Sequence, residues 1–95
     1  MGKVKPDDLS SVHVRAGRAV LGCTAKEFSD FSGPPMSPDK VRNIENGKPA
    51  GLKTRQAIME AFERAGVELQ NGGRPGARVK DTAAYERALE SIKTD

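Results

Sequence analysis

Residues 24–47 carry start and stop signals for two short helices with a turn between them. Thr24 is a helix cap, and Glu27 three residues on completes a Thr-x-x-Glu box whose side chains satisfy two open backbone N–H groups. Phe28 is the residue this helix buries, and Ser32-Gly33 ends it. Pro34-Pro35 cannot be interior to a helix and holds the chain extended. Ser37-Pro38-Asp39 opens the next helix with a serine cap, a proline in the first helical position and an acid in the first turn. Val41 and Ile44 mark its apolar face, and Gly47 ends it, with Pro49 beyond. Two such helices at a steep angle, joined by a glycine-containing turn, have a shape that a DNA major groove accepts.

The flanking segments supply the rest of a small helical domain. A first helix runs from a cap at Ser10 or Ser11 to Leu21, with Val14, Arg18 and Leu21 on one face and Gly22 as its stop. Thr54 is the expected cap of a fourth helix that carries Ile58, Ala61, Phe62 and Ala65 and ends at Gly66. Val67-Glu68-Leu69 and Ala77-Arg78-Val79 alternate on either side of Asn71-Gly72-Gly73-Arg74-Pro75-Gly76, which reads as a β-hairpin with a glycine-rich turn. From Asp81 a last amphipathic helix places Tyr85, Leu89 and Ile92 on one stripe, beside Ala84 and Ala88. The expected organisation is a disordered polar lead-in at 1–8, four core helices within 9–66, a hairpin extension at 67–80 and a C-terminal helix at 81–95. The expected fold class is all-α.

Composition narrows the function. A chain of 95 residues buries only roughly 60–65% of its unfolded surface, enough for one modest core but not for a deep enclosed cleft. No apolar run is long enough to span a membrane, and Met1-Gly2-Lys3-Val4-Lys5-Pro6 lacks the apolar core of a signal peptide, so a cytoplasmic protein is expected. Cys23 is the single cysteine, which leaves no internal disulfide and no cysteine-based zinc cluster. Sixteen Lys and Arg against thirteen Asp and Glu give a net charge of +3, which permits a polyanionic partner without requiring one. The excess is local: residues 40–55 hold five basic residues, Lys40, Arg42, Lys48, Lys53 and Arg55, against one acid, Glu45. Four aromatic residues and no Trp make a base-stacking platform for single strands a poor expectation.

In the order and spacing of these signals the chain resembles the Xre family of lambda-repressor-like helix-turn-helix proteins. The first-helix run Val14-Arg15-Ala16-Gly17-Arg18-Ala19-Val20-Leu21-Gly22 is similar to that family's aliphatic-Arg pair, second Arg and Leu-Gly. Thr24, Phe28 and Gly33 match its Thr, apolar and Gly spacing. Val41, Ile44, Glu45 and Gly47 match its closing pattern. The stretch Thr54 to Leu69 followed by Gly72-Gly73-Arg74-Pro75-Gly76 resembles a bacterial subgroup, and the likeness covers roughly residues 9–80.

The resemblance implies a sequence-specific, double-stranded-DNA-binding transcriptional regulator, acting as a homodimer, with the third helix in the major groove. It implies an ion pair between Arg18 and Glu45 that joins the first and third helices. Ser37, Asp39, Lys40 and Asn43 are the expected base contacts, Asn43 because its amide can pair two-pronged with adenine. Lys26, Arg42, Asn46, Lys48 and Arg55 are the expected phosphate contacts, which position a reader without specifying sequence. Pro34-Pro35 is a two-residue insertion relative to the family's turn, Pro38 donates no hydrogen bond, and Asp39 carries negative charge toward phosphates. These departures support a second expectation, a protein-binding module on the same scaffold, of the antiactivator or antitoxin kind.

The remaining chemistry-bearing residues have plainer readings. His13 reads as an ordinary surface residue of the first helix, with no second His to share a metal. Cys23 reads as a small buried residue at a helix junction, without a base partner. The glycine run at 72–76 lacks the Gly-Lys-Ser/Thr of a phosphate loop and reads as a turn. Neither an enzyme nor a cofactor is expected. Tyr85, Leu89 and Ile92 suit either a dimer interface or a helix folded back on its own core.

Overall fold

Most helix starts in this protein are fixed by a side chain that bonds its own backbone. The computed structural model describes residues 4–34, 36–71 and 74–93. It contains a 3-10 turn at Pro6–Asp8, helices α1 (Ser11–Leu21), α2 (Ala25–Ser32), α3 (Pro38–Glu45), α4 (Leu52–Arg64) and α5 (Thr82–Lys93), and strands β1 (Val67–Gln70) and β2 (Gly76–Val79). Thr24 Oγ1 accepts the Glu27 N–H at 3.0 Å, and Glu27 Oε1 accepts the Thr24 N–H at 2.8 Å, the reciprocal box expected from the sequence. Ser37 Oγ accepts the Lys40 N–H at 3.3 Å, and Asp81 Oδ1 accepts that of Ala84 at 3.1 Å. The fourth helix departs from expectation. It starts at Leu52 behind an extended Gly51, without a side-chain cap, so Thr54 lies inside its first turn. Glycine is an accepted N-cap, and nothing in Leu52-Lys53 opposes helix.

The core lies where α1, α2 and α4 meet. Phe28 and Phe62 stack at its centre with ring centroids 4.6 Å apart, among the buried Val14, Leu21, Val41 and Ile58. Helix α1 passes this pair so closely at Gly17 that an added Cβ would lie 2.5 Å from the Phe62 ring. The two strands form an antiparallel hairpin in the register Val67↔Val79, Glu68↔Arg78, Leu69↔Ala77 and Gln70↔Gly76. Leu69 and Ala77 pack on the core, while Glu68 and Arg78 pair at 2.8 Å on the opposite face, as the pleat requires. The hairpin opens and closes at one atom, because the Gly66 carbonyl accepts the N–H groups of both Lys80 and Asp81 at 2.7 and 3.1 Å. Gly66 has φ +69°, and a side chain there would run into the Asp81 carbonyl. Pro35 and the turn glycines Gly72 and Gly73 lie outside the described residues.

The N-terminal end of the described chain is more integrated than the sequence suggests, and the C-terminal helix packs on the core. Residues 4–8 are not loose: Val4 is 6% exposed, and together with Met59, Phe62 and Leu69 it lines a cleft beside α4. One apolar side chain in an otherwise polar lead-in anchors it there. In α5 the buried residues are Ala84, Ala88 and Ile92, with Tyr85 and Leu89 half-buried beside them, so the expected stripe is turned toward its small residues. Tyr85 donates its hydroxyl proton to the Val20 carbonyl at 2.8 Å. The helix is folded back on the core, one of the two expected uses of this stripe. The molecule is thus mainly helical, with one small hairpin, and among the described residues no helix is long and apolar enough to cross a membrane.

Candidate nucleic-acid interface

Helix α3 has two turns and one apolar edge. Val41, Ile44 and Glu45 are buried, and this sets Asp39, Lys40, Arg42, Asn43 and Asn46 on the solvent side. A helix this short has little stability of its own, so its position depends on what grips it. Most of that grip comes from α1. Arg18 Nε and Nη2 donate to Glu45 Oε2 and Oε1 at 2.7 and 2.6 Å, a two-pronged pair, and Arg18 Nη1 donates to the Cys23 carbonyl at 3.0 Å. The Glu45 side chain is 9% exposed and that of Arg18 27%, so the pair is largely removed from water. Hydrogen bonding to Glu45 holds the Arg18 guanidinium above its ordinary pKa, against the opposing effect of burial. Arg15 adds a bond from its Nη2 to the Glu45 backbone carbonyl at the C-terminal end of α3. The expected Arg18–Glu45 contact is present. Arg15 as a second grip is not read from the sequence.

Helix α2 is held from the other side. Arg64 of α4 donates to the Phe31 carbonyl at 2.9 Å, and its guanidinium lies 5.2 Å from the Phe31 ring centre. Cys23, at the α1–α2 junction, is buried, and burial raises its thiol pKa while Arg18 pulls it partly back. The two short helices are therefore fixed by charged side chains from both flanking helices.

The expected contact residues fall into three groups. Asp39, Lys40, Asn43 and Asn46 share the exposed side of α3, with Ser37 half-buried at its start as the cap and Lys48 exposed just beyond its end. Arg42 and Lys26, both exposed, are already paired: Arg42 with Asp39 at 3.1 Å, Lys26 with Asp30 at 3.0 Å. Exposed pairs of this kind hold only about 0.2–1 kcal/mol, so a phosphate can compete for either cation. Arg55 stands apart. Its side chain is 28% exposed and reaches Asp7 at 3.5 Å. With Lys48, Ser10 and Ser11 it borders a cleft of about 330 Å³ between the start of α1 and the α3–α4 loop.

His13 is the residue whose reading changes most. It is 1% exposed, not a surface residue. The Ser10 N–H donates to His13 Nδ1 at 3.0 Å, so the ring takes the place of Glu in a Ser-x-x-Glu box. With Nδ1 accepting, the proton sits on Nε2, which donates to the Gln70 carbonyl at 3.0 Å. The local signal was Ser10 three residues before a group able to accept an N–H; the distant partner had none. Among the described residues no group of His, Cys, Asp and Glu is placed to hold a metal ion. Comparison of the chain with family models, curated proteins and solved structures gives no match.

Proposed function

We propose that α2, the turn and α3 form a helix-turn-helix, and that the protein is a double-stranded-DNA-binding transcriptional regulator that places α3 in the major groove. The observation that carries this is the Arg18–Glu45 pair: it locks α3 by its buried edge and leaves a polar, amide-bearing stripe facing outward. In this reading Asn43, Lys40 and Asp39 meet base edges, Asp39 accepting from a cytosine amino group with Arg42 and Lys40 offsetting its charge. Lys48, Asn46, Lys26 and Arg42 hold phosphates. A helix of eight residues reads few base pairs, so a homodimer on paired half-sites fits the geometry.

Selection of bound duplexes from a random pool, with sedimentation to count subunits on the recovered site, tests the reading. Enrichment of one symmetric sequence is the expected result. Failure of the protein to retain any duplex at low salt would remove it.

A second reading has its own support, since Asp39–Arg42 and Lys26–Asp30 leave less free positive charge on this face than the sequence suggests. On that reading the scaffold binds another protein. Lys48→Glu abolishes a DNA complex, whereas a protein interface responds to an exposed apolar change such as Leu52→Asp, at a side chain that is 50% exposed.

A further inference from the structure

We infer that Arg15, on α1 and outside the helix pair, is a preset phosphate anchor for the bound nucleic acid; the inference rests on the DNA-binding reading above. Three observations support it. First, its guanidinium is held in place, because Nη2 donates to the Glu45 carbonyl at the end of α3. A guanidinium has five N–H donors, and this bond uses one, so the planar fork keeps donors for a phosphodiester oxygen. Second, Arg15 is exposed and has no carboxylate partner among the described residues, unlike Arg18, Lys26, Arg42 and Arg55, each of which is paired. Third, the carbonyl it contacts is that of Glu45, which closes α3 one residue before Asn46 and three before Lys48. Arg15 thus meets the end of α3 away from Asp39, where the chain continues into Asn46 and Lys48.

The structure also explains why fixing this particular cation matters. A free arginine loses rotamer freedom when it meets a phosphate, whereas one already held by a carbonyl has lost much of it on folding. The negative end of the α3 dipole favours a cation there before any ligand arrives. Arg15 would then serve both partners at once, the helix end on one side and the phosphodiester on the other.

The test uses the full chain and a mixed-sequence double-stranded DNA fragment over a KCl series, because the phosphate contribution is independent of sequence. Arg15→Gln removes the charge and keeps a polar side chain, too short to hold the Glu45 carbonyl as Nη2 does; Arg15→Lys keeps the charge. The log–log salt slope of Arg15→Gln is expected to be shallower by about 0.9, with the melting temperature lower by no more than the loss of one hydrogen bond, roughly 4–8 °C. Arg15→Lys is expected to keep the parent slope. Unchanged slopes in both variants overturn the inference. So does a Gln variant that loses stability and affinity together at an unchanged slope, which assigns Arg15 to the fold alone. If the parent protein itself fails to bind at low salt, the DNA reading falls and this inference with it; parent binding with unaltered variants removes only Arg15.

Discussion

Glu45 is where a surface-looking charge carries the framework. Replacing it by alanine leaves Arg18 with one carbonyl partner in a site from which water is largely excluded. Breaking a buried pair costs about 3–5 kcal/mol, and the partial exposure of Arg18 sets the expectation near the lower end, about 3 kcal/mol. That corresponds to a fall of roughly 12 °C or more in melting temperature, measured by circular dichroism. A change within about a degree would remove the clamp from the account. Gly17 gives a prediction of unusual sign. Glycine inside a helix is normally worth replacing with alanine, by about 1 kcal/mol. Here the methyl would meet the Phe62 ring, which is stacked on Phe28 and cannot move without disturbing the core. Gly17→Ala is therefore expected to destabilise by about 1–2 kcal/mol in urea titration, overpacking outweighing helix propensity. A more stable variant would show that the core yields at this point.

At the scale of elements, the hairpin and the first turn of α1 are one unit joined through His13. Its ring closes the α1 cap at Nδ1 and fixes the hairpin at the Gln70 carbonyl through Nε2. His13→Ala opens a buried cavity and strands both partners, an expected cost of about 2–4 kcal/mol. Hydrogen exchange should show protection lost together in β1 and at the start of α1, and loss in one alone would contradict the coupling. This junction also shows what was legible in the sequence. The caps at Thr24 and Ser37 and the stops at Gly22 and Gly47 concern groups a few residues apart, so spacing reveals them. The start of α4 is hidden from the sequence because Gly51 caps without a side chain and leaves no signal. The burial of His13 is hidden because half of its role depends on a carbonyl 57 residues away. Separation in the chain likewise hides Arg64 under α2, and nothing in the local spacing of Arg18 and Glu45, 27 residues apart, reveals their pairing. The sequence names candidate contact residues by type and by helix; which cations already have partners is visible only once Asp7, Asp30 and Asp39 have places in space.

For the whole molecule, stability should fall with alkali through one buried thiol. Burial raises the Cys23 pKa, so between its ordinary value and the raised one the unfolded chain releases a proton that the folded chain keeps. The contribution is fully present below about pH 8.5 and is lost as pH rises toward the folded value. Chemical denaturation of the parent and Cys23→Ala should show parallel stabilities below that pH, with the parent falling faster above it. Identical slopes on the alkaline side would place the thiol in contact with water. The closure at Gly66 has a practical consequence of another kind. Because the carbonyl of Gly66, just before β1, accepts both N–H groups that follow β2, the chain between them is a loop tied at its neck. A reporter peptide or a fluorophore-bearing segment spliced in after Asn71 would project from the far end of that loop without altering how α4 hands over to α5. The hairpin is thus a ready attachment point for following this protein by light.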